Sequence, residues 1–343
     1  MLTAVGDAVH VLPVINALER RDPTVHITWV LQPGAAALVR GHPAVDELIV
    51  LDRASGRRGF LAARRELATR QFDITLALQD YLKAGILTAL TRAPVKLGYD
   101  RARARDMNWL FTTTQIPPSA PAHIQDEYLE FLAPLGVEAE PIEWRLGPWE
   151  SERARQRELL SRFDRPIASL VIGSSRPEKD WVAERWAAVS NALYADFGLQ
   201  PVLVGARSPR EMETERAIMA STNPQPVSLL DSGLRPLVGI LDASELVISL
   251  DTGPLHMAVA LGRPVISLIG FSNPLRTGPY RASQDLVVSA YGPTTRAGKL
   301  LTARHPDRMT RITAGDVLEK VEVWRNLRVR QRNRSPHPAR QED

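Results

Sequence analysis

The sequence has no cysteine among its 343 residues. This absence excludes disulfide bonds, cysteine-ligated zinc and catalytic thiols. No apolar run approaches the ~20 residues that a membrane-spanning helix needs, and the first residues lack the basic and apolar segments of a secretory signal peptide. We therefore expect a soluble protein of the cytoplasm.

Two signatures of nucleotide-binding and metal-binding enzymes are also missing. No two aspartates have the Asp-x-Asp spacing with which many transferases chelate a metal ion, so we expect no metal site. No Gly-x-Gly-x-x-Gly follows a strand, and the Gly-x4-Gly-Lys spacing of a Walker loop does not occur. These absences argue against a dinucleotide dehydrogenase and a P-loop protein.

Apolar runs alternate with amphipathic stretches along most of the chain, whose length suits two domains. Near-continuous runs of Val, Ile and Leu predict strands that are buried on both faces. These strands are predicted at 27–31, 48–51, 74–78, 167–172, 201–204, 246–250 and 265–269. Helices are predicted between them, among others at 11–20, 59–69, 184–197 and 255–261. The alternation predicts an α/β protein with parallel sheets.

Proline breaks this alternation in the middle of the chain, where six prolines lie within 115–149. A second α/β run begins near residue 165. We therefore predict one domain over residues 1–150, a second over 151–325 and a disordered basic tail over 326–343. Two doubly wound domains that face each other form a cleft, where ligands bind at the carboxyl ends of the strands.

The net charge is +4, and the arginines are clustered. Two basic groups lie in the first domain and a third lies in the tail. The members of the first two groups are Arg53, Arg57, Arg58, Arg64, Arg65 and Arg70, and then Arg92, Lys96, Arg101, Arg103 and Arg105. Such groups attract phosphates, anionic lipid or nucleic acid. A solvated surface and a disordered tail are the competing interpretation.

The most informative segment is 251–256, Asp-Thr-Gly-Pro-Leu-His, which follows a buried strand and opens a helix. Its glycine lets a ligand approach the backbone, and its proline suits a first helical turn, where no N–H is needed. A helix N-terminus at the carboxyl end of a strand is a site for phosphate. An ordinary βαβ turn capped by Asp251 or Thr252 explains the spacing equally well, and a buried structural role explains His256 equally well.

Two further segments carry groups suited to catalysis and phosphate binding. Residues 4–13 place Asp7 at the start of the first helix, where we expect it to stay ionised. There it can accept a proton from an attacking hydroxyl, although a helix cap is the simpler interpretation. Residues 172–181 place small residues and Lys179 after the first strand of the second domain, which suits phosphate contacts. Lys179 can neutralise a leaving diphosphate.

Together and in this order, these segments resemble glycosyltransferase family 9, the lipopolysaccharide heptosyltransferases. The resemblance covers most of the chain. The similar segments are 6–13, 78–83, 97–100, 123–136, 179–186, 251–256 and 271–279. The resemblance implies a GT-B fold, in which two Rossmann-like parallel-sheet domains face a central cleft and the second domain holds the donor.

The resemblance also implies a reaction and its partners. Heptose would pass from ADP-heptose, the donor substrate, to the inner core of lipopolysaccharide, with inversion and with neither metal nor cofactor. The partners would be this nucleotide sugar and a lipid-linked anionic glycan. The protein would associate peripherally with the cytoplasmic face of the inner membrane, and nucleic acid would not be a partner.

By the same resemblance, Asp7 is the general base. The donor-binding residues that it implies are Ser174, Ser175, Lys179, Glu211, Asp251, Thr252, Gly253, Pro254, Leu255 and His256. The acceptor-binding residues that it implies are Gly6, His10, Arg57, Arg58, Arg64, Arg65 and Lys83. An arginine-rich first domain suits an acceptor that carries carboxylates and phosphates.

The sequence departs from the family pattern in two places. Only residues 2–5 precede Gly6 where the family has a full strand, so we expect an incomplete first strand and a chain less stable than one extended upstream. Pro254, Ser272 and Asn273 differ from the family's residues and leave the sugar open. Two alternatives therefore stand: a related transferase with another nucleotide sugar or surface-glycan acceptor, and a non-catalytic nucleotide-sugar binder.

Overall fold

Helices and strands alternate in both halves of the chain, as the apolar pattern predicts. The computed structural model describes residues 5–294 and 302–334. All seven predicted strands are present, each within one residue of its predicted bounds. They form because runs of Val, Ile and Leu fit an extended backbone that helices cover on both faces.

The first half begins with helix α1 (Val5–Arg21), which carries Asp7 in its first turn. The elements that follow are β1 (Thr28–Leu31), α2 (Pro33–Val39), β2 (Glu47–Val50), α3 (Gly56–Ala68), β3 (Ile74–Ala77) and α4 (Leu82–Leu90). The last elements are β4 (Val95–Gly98), the 3₁₀ helix Asn108–Phe111, β5 (Thr114–Gln115) and α5 (Ile124–Leu129). The first half is therefore a series of strand–helix units behind a long opening helix.

The strands of the first half form two parallel sheets among the described residues, one of β1 and β2 and one of β3, β4 and β5. Thr28 lies opposite Glu47 in the first sheet, and Ile74 lies opposite Val95 in the second. The Rossmann-like sheet expected for this half is thus divided in two. Residues 1–4, on which most of the expected incomplete first strand falls, lie outside the described residues.

The second half opens with α6 (Glu150–Leu160) and continues as strand–helix units. These units contain β6 (Ile167–Val171), α7 (Ala183–Ala195), β7 (Gln200–Val204), α8 (Pro209–Ala220), β8 (Val227–Ser228), α9 (Leu234–Ala243), β9 (Leu246–Leu250) and α10 (Gly253–Ala260). The remaining elements are β10 (Val265–Ile269), α11 (Pro274–Thr277), β11 (Val287–Ser289) and α12 (Ala314–Arg334). The cis-proline bonds Glu140–Pro141 and Gly147–Pro148 lie in the connection between the halves.

The strands of the second half form one parallel sheet in the order β11-β10-β9-β6-β7-β8. The chain therefore moves outward in one direction from β6 and in the other direction from β9. Loops that leave these two neighbouring strands diverge, which opens a crevice at their carboxyl ends. The segments that follow β6 and β9 are those that the sequence analysis singled out for phosphate binding.

Alternating side chains of the central strands serve two separate cores. Val247 and Val265 face one core with α9 and α10, whereas Ile248 and Ile266 face the other with α7 and α12. Every residue of β6, β9 and β10 is buried. The sheet that carries the loops is therefore held rigidly from both sides.

The two halves are joined where α1 packs against α10 and α2 packs against α9. A Cβ atom at Gly6 would lie 2.9 Å from Cδ2 of His256, and one at Gly253 would lie 3.4 Å from the backbone nitrogen of Gly6. Glycine at both positions therefore permits the helices to approach this closely. One continuous cluster of buried apolar residues, among them Leu12 and Met257, runs through this junction.

Polar contacts strengthen the same junction on the side of α5. Arg276 donates to both carboxylate oxygens of Glu127, at 2.5 and 3.0 Å. Tyr280 donates to Asp126 at 2.6 Å, and the His123 ring lies 2.9 Å from the carbonyl oxygen of Gly278. These contacts connect α5 to the segment after β10, so the first half is tied to the carboxyl edge of the large sheet.

The carboxy-terminal helix is longer than the sequence analysis expected. α12 includes residues 326–334, for which the sequence predicts a disordered tail. Arg328 forms an ion pair with Glu245 at 2.7 Å, and its guanidinium lies 5.5 Å from the Trp324 ring. These contacts extend the helix into a segment whose charge alone suggested a solvated tail, while residues 335–343 lie outside the described residues.

The close helix junction predicts that Gly6→Ala destabilises the fold. The added methyl group must displace the His256 ring, which is packed against His10, so we expect the free energy of unfolding to fall by about 1–3 kcal/mol. Gly239→Ala in α9 is the matched control, because its Cβ would meet only Gln156 at 3.8 Å. That variant is expected to gain up to about 1 kcal/mol from helix propensity. Equal urea midpoints for the two variants would contradict this account.

Candidate active site

Two segments that the sequence analysis treated separately meet at the end of the large sheet. Lys179 lies on the 3₁₀ helix Pro177–Lys179 after β6, and Asp251 follows β9 directly. The Nζ atom of Lys179 donates to the carbonyl oxygen and to Oδ2 of Asp251, both at 2.8 Å. Asp251 is buried, so this ion pair fixes the lysine at the crevice between the two strands.

Asp251 also accepts hydrogen bonds from two hydroxyl groups. Ser272 donates to Oδ2, and Thr277 donates to the same atom at 3.2 Å. Loops after β6, β9 and β10 therefore converge on one carboxylate. Asp251 connects three loops and positions Lys179, and it does not cap α10.

The N-terminus of α10 has no side-chain cap among the described residues. Thr252 occupies the N-cap position, but its hydroxyl donates back to the carbonyl oxygen of Leu250 at 3.3 Å. Pro254 follows in the first turn, as predicted. The backbone donors at a helix start attract an anion, so this turn is suited to a phosphate group.

Three cations surround the buried ring of Phe271, beside the same turn. Nζ of Lys179 lies 5.6 Å from the ring centroid, and the guanidinium carbons of Arg176 and Arg304 each lie 5.9 Å from it. Neither arginine is among the site residues predicted from the sequence. Arg176 lies within the segment 172–181, which is predicted to contact phosphate, so the sequence could have indicated it. Nothing in the sequence connects Arg304 to this loop.

Ser174 and Glu211, which were expected to bind the donor, have local hydrogen-bond partners, and Ser175 is exposed. Ser174 donates to Oδ1 of Asp180 at 2.7 Å. The carboxylate of Glu211 accepts from the backbone nitrogens of Ala206 and Ser208, at 2.9 and 3.0 Å. These last contacts cap the start of α8, and they account for the residue without a ligand.

Asp7 lies at the start of α1, next to the junction with α10. Gly6 contacts both Gly253 and His256, so the half-buried Asp7 follows immediately after the contact between the halves. Burial raises the pKa of Tyr81 to about 12. The positive charge of Arg53 opposes this shift, and the negative charge of Asp7 adds to it.

Tyr81 lines a cavity of about 680 Å³ in the first half. Its lining residues are Arg53, Tyr81, Leu82, Lys83, Asp106 and Met107. Lys83, predicted to bind an acceptor, is thus placed at this cavity. The other predicted arginines, Arg57, Arg58, Arg64 and Arg65, are exposed on α3, which begins three residues after Arg53.

Three histidines are packed together behind the catalytic candidates. The ring centroid of His10 lies 4.2 Å from that of His256 and 5.7 Å from that of His123. Nδ1 of His10 lies 3.1 Å from Oε1 of Gln125, and Nε2 of Gln125 donates to the His10 carbonyl oxygen at 2.7 Å. His10 was predicted to meet an acceptor, yet it is buried in the junction, and His256 is covered in the same way.

The sequence of this chain is similar to those of known glycosyltransferases over most of its length. A family model described as glycosyltransferase family 9 (heptosyltransferase) matches residues 60–304. The lipopolysaccharide core heptosyltransferase OpsX of Haemophilus influenzae is 32% identical over 291 residues, which are 84% of this chain and 83% of OpsX. The chain belongs to glycosyltransferase family 9. Lys179 and Asp251 lie inside the matched range, whereas Asp7 precedes it.

Solved structures agree on the fold of this family-9 chain. The glycosyl transferase family 9 structure from Veillonella parvula has a TM-score of 0.80 at 25% identity and covers 94% of this chain and 95% of its own. The E. coli heptosyltransferase WaaC with ADP has a TM-score of 0.75 at 22% identity, with coverages of 94% and 98%. The expected GT-B architecture and the resemblance to the family are thereby confirmed.

Within residues 5–294 and 302–334, no group of three or more His, Asp or Glu side chains is arranged so that it could hold a metal ion. At the crevice Asp251 binds Lys179, and the ring of His10 packs on those of His256 and His123. Positive charge at this site comes from lysine and arginine side chains.

The buried histidines predict a stability that falls with acid. Burial, and to a smaller extent the charge of His123, lowers the pKa of His10 to about 3 in the folded chain. As the pH falls below 6.5, the unfolded chain therefore binds a proton at His10 while the folded chain does not. The free energy of unfolding should therefore be highest above pH 6.5 and decrease between pH 6.5 and pH 3. His10 contributes up to about 1.4 kcal/mol per pH unit to this decrease.

The variant His10→Gln tests this link between proton uptake and unfolding. Chemical denaturation between pH 6 and 4 should give a shallower decrease for His10→Gln than for the unchanged chain. The exposed His26 is the control, and His26→Gln should keep the original slope. Parallel stability–pH curves for the unchanged chain and His10→Gln would refute the assignment.

Proposed function

We propose that this family-9 enzyme transfers heptose from ADP-heptose to the inner core of lipopolysaccharide, with inversion and without a metal. The name of its 32% identical relative, a lipopolysaccharide core heptosyltransferase, supports the acceptor. Related structures were solved with ADP and with ADP-2-deoxy-2-fluoro heptose, which supports the donor. The observation that carries the proposal is the position of Asp7 beside the turn where Lys179 meets Asp251.

The second half holds the donor in this proposal. The diphosphate lies at the uncapped start of α10, and Lys179 contributes a positive charge fixed by Asp251. Arg176 and Arg304 extend this positive region around Phe271. Charges that are fixed in advance stabilise the negative charge that develops on the leaving diphosphate. This arrangement supplies the role that a metal has in other sugar transferases.

The first half holds the acceptor and the base. The acceptor lies in the cavity lined by Tyr81 and Lys83, and its hydroxyl oxygen attacks the anomeric carbon of the donor sugar. The bond between that carbon and the diphosphate oxygen breaks in the same displacement, which inverts the configuration. The hydroxyl proton passes to the carboxylate of Asp7.

Peripheral binding to the cytoplasmic face of the inner membrane is part of the proposal, because the acceptor is lipid-linked. No helix within the described parts of the chain combines the length and apolarity needed to cross a bilayer. Basic residues on α3 and around the cavity favour contact with anionic lipid.

Replacement of the base tests the reaction. Asp7→Asn should lower the rate of transfer from ADP-heptose by roughly 10²–10⁴ while ADP affinity changes little. Asp73→Asn, at an exposed position in the same half, is the control and should keep the parental rate. Transfer should also persist in a chelator. If Asp7→Asn retains most of the rate, Asp7 is not the base, and ADP binding without any transfer would favour a non-catalytic binder.

Two lysines in different halves separate donor from acceptor binding. Lys179→Met removes the cation at the diphosphate and leaves Asp251 without its ion-pair partner, so the Kd for ADP should rise by about tenfold or more in calorimetry. Lys83→Met should leave the Kd for ADP unchanged and raise the KM for the acceptor, because Lys83 lines only the cavity of the first half. The opposite pattern would exchange the two sites.

A further inference from the structure

The segment after β4, around residues 106–111, exposes large apolar side chains to solvent. Met107 is 62% exposed and Leu110 is 56% exposed, which are the two largest values for large hydrophobic residues in the described chain. Leu82, at the start of α4, is 41% exposed and shares a cavity wall with Met107. Three apolar side chains therefore project from one edge of the first half.

These side chains are held in place by strong local contacts. Arg105 donates to both carboxylate oxygens of Asp80, at 2.6 and 2.8 Å. Asn108 is fully buried and donates to the carbonyl oxygen of Tyr81 at 2.8 Å. Phe111 packs so closely on Gly85 that a Cβ there would lie 2.5 Å from its ring. The protein thus fixes the backbone whose apolar side chains it leaves exposed.

The backbone at the tip of this segment is also strained. Asp106 and Met107 have φ values of 51° and 56°, so two consecutive residues other than glycine are left-handed. Such residues persist only where the surroundings enforce them, and they concentrate at functional sites. Glycine would relieve the strain at no cost to packing, because Met107 has few contacts to lose.

Basic side chains surround the exposed apolar residues. Arg53 and Lys83 line the same cavity as Met107, and the Arg101 guanidinium stacks 4.2 Å from the Trp109 ring. All three basic residues are exposed. Within the described residues, neither Lys83 nor Arg101 has a carboxylate within ion-pair distance. Two carboxylates lie nearby: Asp80 forms an ion pair with Arg105, and the exposed Asp106, which lines the same cavity, also favours the charged form of Arg105.

We infer that this surface binds an anionic lipid bilayer. We call it the Leu110 face, and its members are Leu82, Met107, Trp109 and Leu110 with Arg53, Lys83 and Arg101. Its apolar side chains enter the boundary between headgroups and acyl chains, and its basic side chains contact lipid phosphates. The half-buried Trp109, which stacks against Arg101, is placed in the headgroup region, where tryptophan is enriched in membrane-bound proteins.

The biological role of the Leu110 face rests on the proposed function. The cavity that is proposed to hold the acceptor is lined by Leu82 and Met107, which are members of the Leu110 face. Docking by this face therefore brings the cavity to the membrane surface, where a lipid-linked acceptor lies. The second half, with Lys179, then remains on the aqueous side with the soluble donor.

Co-sedimentation of the full chain with vesicles tests the assignment without any substrate. The chain should bind vesicles that contain phosphatidylglycerol and bind pure phosphatidylcholine vesicles weakly. Leu110→Glu and Arg101→Gln should each weaken binding to the phosphatidylglycerol vesicles by about tenfold, because the apolar and charged contributions act together. The control Val329→Glu replaces a residue of similar exposure on the basic helix α12 and should bind like the unchanged chain.

Three outcomes distinguish the possibilities. Loss of binding in Leu110→Glu, with unchanged thermal unfolding and unchanged transfer to a deacylated soluble acceptor, supports the Leu110 face. Binding that weakens in Val329→Glu but not in Leu110→Glu overturns it and places the lipid contact on α12. Vesicle binding that depends on Leu110 in a chain that transfers no heptose would sustain this inference while the proposed function fails.

Discussion

The close approach of α1 to α10 is the contact on which the candidate active site depends. Gly6 and Gly253 allow two helix starts to meet closely, with the side chains of Val5 and His256 packed against the two glycines. Both starts carry the positive end of a helix dipole. Negative groups are therefore favoured at this junction, and the carboxylate of Asp7 is one of them. The donor diphosphate that we propose at α10 would be the second.

The two halves contribute in physically different ways. The second half offers a six-stranded sheet with buried central strands, so the loops that carry Lys179 and Asp251 rest on a rigid base. The first half has two smaller sheets and an exposed, basic α3. A fixed site suits a small nucleotide whose diphosphate always has the same geometry. A more open, charged surface suits a large glycan attached to a membrane lipid.

The tertiary structure divides the clustered basic residues into two kinds. Arg70, Arg103 and Arg105 form ion pairs with acids of neighbouring elements, and they stabilise loops of the first half. Lys83 and Arg101 remain exposed beside apolar side chains instead. A basic cluster in the sequence therefore contains both structural ion pairs and groups that can meet an anionic partner. Only the positions of the acids distinguish them.

The sequence by itself determined the α/β class, the buried strands and the motif turns, because each depends on residues close together along the chain. β6, β9 and β10 were predictable since their residues are almost all apolar, whereas short strands such as β4 and β8 lack that pattern. The tertiary structure alone decided that Lys179 binds Asp251, that Arg304 joins Phe271 and that His10 is buried in the junction. These contacts join residues far apart in the chain, and local periodicity carries no record of which distant surfaces pack together.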